Sequence, residues 1–241
     1  MNVYDDAQFF SQYAQMARSR QGRAGAGEWR QLKRLLPELA GKRVLDLGCG
    51  YGWHCRYAAE QGAEAVLGID QSARMVGEAR ARNAHPRITY RKCGLEEYEY
   101  PPEAFDCAIA NLVLHYVEDL DPVYRAVRRT LRPGGALVLN IEHPVFTAGV
   151  GQDWLYGDDG RPRCWPVDDY FYPGPRTTHF LGCEVLKQHH TLTQILMGLL
   201  RAGFRLDAVE EAMPDGAMMA LPGMADEMRR PMMLLVGASL P

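Results

Sequence analysis

The chain has 241 residues, 47% of them hydrophobic, and 27 basic side chains stand against 30 acidic ones for a net charge of −3. That length buries one sizeable core without staples, and the faint acidity excludes a general nucleic-acid binder, which needs clustered cations. Six scattered cysteines read as reduced thiols with no metal-ligating cluster, and with neither a leader nor an apolar run of bilayer length, a cytoplasmic protein off the membrane is expected.

In chain order, an N-terminal arm over residues 1–40 carries Phe9, Phe10, Tyr13, Met16 and Ala17 at helical spacing and is expected to cross the mouth of a cleft. Apolar runs then predict strands at 43–48, 65–70, 87–92, 105–111, 135–142, 204–211 and 232–238. Helical periods predict helices at 53–61, 72–84, 120–131 and 190–202, with Ser72 as an N-cap and Gly203 as a C-terminal stop. This alternation is that of a doubly wound α/β sheet with helices on both faces. The stretch 143–187 is too long for an ordinary connection and reads as a substrate cap. Its Trp154, Tyr156, Trp165, Tyr170, Phe171 and Tyr172, interspersed with charges, mark where specificity resides, although such aromatics also build satellite cores under long loops.

The run from Val44 through Asp46, Gly48, Cys49 and Gly50 to Gly52 describes a buried strand turning through glycines into a helix. A second strand ends at Asp70, where a carboxylate can accept from both hydroxyls of a ribose. A dinucleotide and another adenosine-bearing ligand both need these parts. Two residues separate them: Trp53 occupies the place of a third glycine, and Asp46 sets a negative charge where a pyrophosphate would lie. A ligand with a sulfonium and an ammonium but no phosphate suits that charge, which points to S-adenosylmethionine.

The segment from Asp46 to Gly52 resembles the first motif of the class I S-adenosylmethionine-dependent methyltransferases. Phe105 to Tyr116 is similar to that family's fourth strand and the loop crossing the methionine end of the cofactor, and Leu131-Arg132-Pro133-Gly134-Gly135 to its turn before the fifth strand. The resemblance covers the whole chain as one domain. It implies a Rossmann-like seven-stranded sheet, six strands parallel and the last antiparallel, and an arm supplying Tyr13 and Arg18 to the methionine tail. Within that frame Asp46 attracts the cationic end, Gly48, Cys49 and Gly50 bring backbone close, and Asp70 holds the ribose. Gln71 and Met75 lie where the adenine would be, and Asn111 and Leu112 lie on the crossing loop. The family often places an acid after the third strand for the adenine amino group; alignment puts Gly94 there, so Leu95 backbone or the Glu96 carboxylate is expected to compensate.

Methyl transfer asks chiefly for alignment and exclusion of water, because the sulfonium methyl is already activated. A base is needed only where the acceptor loses a proton, and the carboxyl ends of the central strands select His115, Tyr116, Glu142 and His143. His115 and His143 are the proton-transfer candidates. Either can equally be a hydrogen-bonded structural histidine, and His143-Pro144 can simply mark the rigid exit into the cap. His189 and His190 are placed at the start of a helix on the cap side. Arg125, Arg128, Arg129 and Arg132 form a stripe that a solvated helix face explains, and no N-P-P-aromatic run follows the fourth strand. The expected partner is a small-molecule acceptor, with no nucleic acid; a homodimer is left open. Two other classes share the frame: a silent S-adenosylmethionine-binding module, and a nicotinamide-dependent oxidoreductase that Trp53 and Asp46 oppose.

Overall fold

In the computed structural model, which describes residues 2–149, 151–214, 216 and 218–241, the arm folds as α1 (Ala7–Tyr13), α2 (Ala17–Gln21) and α3 (Trp29–Leu35). The core follows with β1 (Arg43–Leu47), α4 (Trp53–Glu60), β2 (Ala65–Asp70), α5 (Ala73–Arg82), β3 (Ile88–Lys92), β4 (Phe105–Asn111), α6 (Leu120–Thr130) and β5 (Leu131–Glu142). The cap adds α7 (Pro144–Thr147), a short hairpin of β6 (Leu155–Tyr156) and β7 (Pro162–Cys164), and a longer one of β8 (Gly174–Phe180) and β9 (Cys183–His189). The chain then runs through α8 (Leu192–Arg201), β10 (Arg205–Glu211), α9 (Met224–Glu227) and β11 (Met233–Ser239).

One sheet of seven strands carries the order β10-β11-β5-β4-β1-β2-β3, and β11 runs antiparallel to both neighbours while the other pairs are parallel. Helices cover both faces, so β1 and β4 at the centre are buried on each side and read as continuous apolar runs. The order reverses between β1 and β4, which opens a crevice beyond their carboxyl ends. On one face, α6 lays Leu120, Val123, Tyr124 and Val127 against Leu137, Leu139 and Phe105. Fully burying each such side chain contributes about 1.5–3 kcal/mol, and this cluster holds the tips of β4 and β5 in place.

The Ser72 hydroxyl accepts from the Met75 amide at 3.1 Å, as expected, and Thr191 with Gln194 forms a reciprocal capping box on α8 that the sequence reading did not include. Gly203, at φ 93°, ends that helix. Three boundaries differ from the sequence reading. The arm is no single helix, because Met16 is extended (φ −60°, ψ 147°) and caps a new helix. Strand β5 starts at Leu131, four residues early, because the Pro133-Gly134-Gly135 turn is absorbed as a register shift against Phe105 and Cys107. His189 and His190 precede α8 and do not begin it, since β9 runs on to His189 before the Thr191 cap.

Candidate active site

The crevice is a cleft of about 820 Å³, walled by the glycine loop after β1, the tips of β2, β4 and β5, the arm and the β8–β9 hairpin. Gly48, Gly50 and Gly52 all have positive φ (66°, 52° and 78°). A Cβ on Gly48 would run into Val113 and one on Gly52 into Tyr90, whereas one on Gly50 meets nothing within 4 Å. The loop is therefore pressed against the protein on two sides and open to the cleft at Gly50. Asp70 accepts from the Gly50 amide at 2.9 Å and from the Ser72 amide at 2.8 Å, tying the loop to the tip of β2. Burial pushes its carboxyl above the usual range against those two hydrogen bonds. Gln71, Met75, Leu95 and Glu96 line the same end.

Asp46 does not line the cleft. It lies beneath the loop, buried, with the Cys55 thiol donating to Oδ2 at 3.1 Å and Oδ1 without a hydrogen-bond partner. Desolvation raises its carboxyl to about 7, so the negative charge expected there is only partly developed at neutral pH. Gly94 also stands outside the lining; its amide is taken up by Glu97 Oε2 at 3.3 Å. Leu95 and Glu96, by contrast, line the cleft.

From the arm, Tyr13 and Arg18 both reach the cleft wall. The Arg18 guanidinium makes a two-pronged pair with Glu28, 3.1 Å on each side, and Glu28 is buried. Glu28, which sequence reasoning missed, fixes the arginine's orientation through two of its five N–H groups. Tyr4, also missed, stacks edge-on with Tyr13 at 5.2 Å and shares a 2.9 Å hydrogen bond with the Tyr116 hydroxyl, joining arm to β4 loop. The Asp5 carboxylate accepts from the Ser72 hydroxyl at 2.7 Å and the Arg74 amide at 3.2 Å, so the arm is latched to the start of α5.

At the β4 and β5 tips, Asn111, Leu112, Val113, His115, Tyr116 and Glu142 line the cleft. Leu112 sits at φ 55°, a strained conformation for a non-glycine residue, with its amide bound to the Asn140 carbonyl at 2.7 Å. Asn140 also donates to Asn111 Oδ1 at 2.9 Å. His115 is buried, its Nε2 4.0 Å from Glu142 Oε1, and burial lowers the imidazole to about 4, so it is neutral at pH 7. Lys187 Nζ on β9 is 2.5 Å from the same Glu142 oxygen.

His143 is not beside these groups. Its side chain turns away from the cleft, accepting from the Val145 amide at 3.1 Å with Nε2 3.0 Å from Glu211, because Pro144 starts α7 and the histidine caps it. His189 and His190 are likewise spent on structure, bound to Thr147, the Tyr170 carbonyl and the Val117 carbonyl. Nor do the expected cap aromatics close the cleft. Trp154 and Trp165 flank the Arg230 guanidinium (5.5 and 4.3 Å) around a separate 280 Å³ hollow, and Phe171 is 84% exposed. The cap aromatics that do reach the cleft are Phe146 and Phe180. Phe180 had a readable signal: Leu181-Gly182, a two-residue turn between alternating runs, announces the hairpin that carries it.

A family model described as a methyltransferase domain matches residues 45–139. The crystal structure of an S-adenosylmethionine-dependent methyltransferase from Mesorhizobium loti superposes with a TM-score of 0.84 at 44% identity, covering 90% of this chain and 100% of that one. The N-demethylindolmycin N-methyltransferase of Streptomyces griseus is 30% identical over 72% of this chain and 74% of its own length. A tRNA U34 carboxymethyltransferase from Methylococcus capsulatus is 33% identical over 46% of this chain and 36% of its own.

The chain belongs to the class I S-adenosylmethionine-dependent methyltransferases. The residues of this methyltransferase fit its cofactor: the loop is open at Gly50, a carboxylate stands at the β2 tip, and Tyr13 and Arg18 reach the wall from the arm. Asp70 would hold the ribose, Tyr13 and Arg18 the methionine tail, and Leu95 and Glu96 the adenine. Bound there, the cofactor supplies an electrophilic methyl on sulfur. The methyltransferase contributes the alignment and the dry walls.

Proposed function

We propose that this methyltransferase moves the methyl to a small molecule by in-line displacement, with His115 and Glu142 facing the acceptor and Asn111, Leu112 and Asp70 positioning the donor. The observation that carries the reading is the state of the cations on the wall. Among the described lining residues, Arg18 pairs with Glu28, Arg23 with Glu60 and Lys187 with Glu142. A wall whose lysine and arginines are already neutralised has no free grip for a nucleic-acid backbone. A volume of about 820 Å³ is the size of small-molecule sites, and the arm and hairpin narrow the approach to it. The small-molecule N-methyltransferase relative fits the same reading.

Labelled-methyl transfer to a cell extract, followed by separation by size, tests it. Label in the small-molecule fraction is expected; label retained in RNA or protein overturns the reading. No label in any fraction, with S-adenosylhomocysteine still raising the melting temperature, would favour a silent binding module instead.

A further inference from the structure

Lysine is an expensive residue for the inward row of a hairpin. Along β9 the alternation turns Val185, Lys187 and His189 inward, and the Lys187 side chain is 5% exposed. Removing an ammonium from water costs several kcal/mol, and a partner carboxylate returns this only with good geometry and further hydrogen bonds. An apolar residue here would pack beside Phe180 without that cost, so stability alone does not account for the pair.

The pair faces the cleft. Lys187 Nζ lies 2.5 Å from Glu142 Oε1, 3.3 Å from Gln152 Oε1 and 5.5 Å from the Phe180 ring centre. Glu142 Oε2 has only the Gln152 amide at 3.5 Å, so one carboxylate oxygen keeps nearly all its accepting capacity. His115 stands behind, 4.0 Å from Glu142 Oε1. Against desolvation, which raises it, the Lys187 ammonium and the hydrogen bonds from Lys187 and Gln152 hold the Glu142 carboxyl below its usual value. The wall therefore presents one anion and one cation side by side, with a neutral imidazole.

That arrangement selects among acceptors. A fixed cation would meet Lys187, and a fixed anion would meet Glu142. A neutral molecule with a weakly acidic hydrogen can use both, its hydrogen toward Glu142 and its heteroatom toward Lys187. We propose that Glu142 and Lys187 form the acceptor subsite, and that it takes a neutral, apolar-bodied acceptor bearing a weakly acidic O–H or ring N–H. This rests on the small-molecule reading above. Phe146, Phe180, Met232 and Met233 supply the apolar walls. In the step, the O–H or N–H bond breaks and its proton passes to Glu142 Oε2. The electron pair left on the heteroatom, beside Lys187 Nζ, bonds to the methyl carbon. The carbon–sulfur bond breaks and its pair goes to sulfur, so a carboxylate and a sulfonium become a carboxylic acid and a thioether.

The test uses 4-nitrophenol, whose phenolate absorbs visibly, on the full chain with S-adenosylhomocysteine present. The wild type is expected to bind it and raise its phenolate-to-phenol ratio about tenfold or more over solution, a shift of one pH unit. The double variant Glu142→Gln with Lys187→Met leaves no buried unpaired ion, and is expected to keep S-adenosylhomocysteine affinity while losing the phenolate shift. Wild type that binds no nitrophenol, binds it without a shift, or a double variant that keeps the shift overturns the inference. Methyl label in RNA or protein would overturn the small-molecule reading beneath it, whereas label in small molecules with no phenolate shift overturns this inference alone.

Discussion

Asp70 ties the glycine loop to the tip of β2 at the place proposed for the ribose. Its two oxygens already hold the amides of Gly50 and Ser72, and an asparagine has a single oxygen to offer. Asp70→Asn is expected to weaken S-adenosylhomocysteine binding by about 1.5–3 kcal/mol, roughly ten- to a hundredfold in Kd by calorimetry. Unchanged affinity would remove Asp70 from the site. Glu28 is a subtler case, since it touches no expected ligand and acts through Arg18. Glu28→Gln keeps the shape but removes the charge pairing and one of the two acceptor oxygens, and is expected to lower S-adenosylhomocysteine affinity severalfold while leaving that for adenosine, which lacks the methionine tail, unchanged. Asp70 was legible because a strand ends at it; Glu28 was not, because its meaning is a partner ten residues away, Arg18 on α2.

At the level of elements, the glycine loop, the alternating strands and the capped helices are all local devices, and each could be read from neighbours in the chain. The arm and the hairpin are different. Ser72 caps α5 and also donates to Asp5, so one hydroxyl holds both a helix start and the arm. Ser72→Ala is expected to cost about 1 kcal/mol of stability through the cap. It should also release the arm, seen as faster proteolytic nicking within the first twenty residues at a temperature where the core stays folded. Equal nicking in both proteins would sever the latch from the arm. The apolar residues from Phe9 to Ala17 recur at helical spacing, yet the extended Met16 divides them, and Phe9 packs on Phe180 while Phe10 packs on Tyr51, on different walls and not along one stripe.

For the molecule as a whole, burial sets the response to acid. His54 and His115 are held near 4, so between about 4 and 6.5 the unfolded chain carries protons that the folded one refuses, and lowering the pH destabilises the fold. Each imidazole represents roughly 3 kcal/mol when the window has been crossed. Asp46 works the other way: held near 7, it keeps its proton where the unfolded chain has lost it, so acidification from 7 relieves its burial. Two imidazoles outweigh one carboxylate. The urea midpoint is expected to fall from pH 6.5 to 4.5, and to fall more steeply in Asp46→Asn, where the compensating relief is gone. A midpoint flat across that range in both proteins would contradict the buried neutral state of these histidines.

Asp70 and the three motifs at Asp46–Gly52, Phe105–Tyr116 and Leu131–Gly135, taken in order, were enough to point to the sheet, its family and the cofactor, because each motif depends on residues close together in the chain. Which groups share the far end of the cleft was decided by tertiary structure alone. His143 looked equivalent to His115 along the chain, yet a proline-led helix start turns it toward Glu211, while Lys187, forty-five residues beyond Glu142, arrives beside it on a hairpin. Neighbours brought together across such separations leave no periodic trace in the chain, and it is the packing of the hairpin on the β5 tip that pairs them.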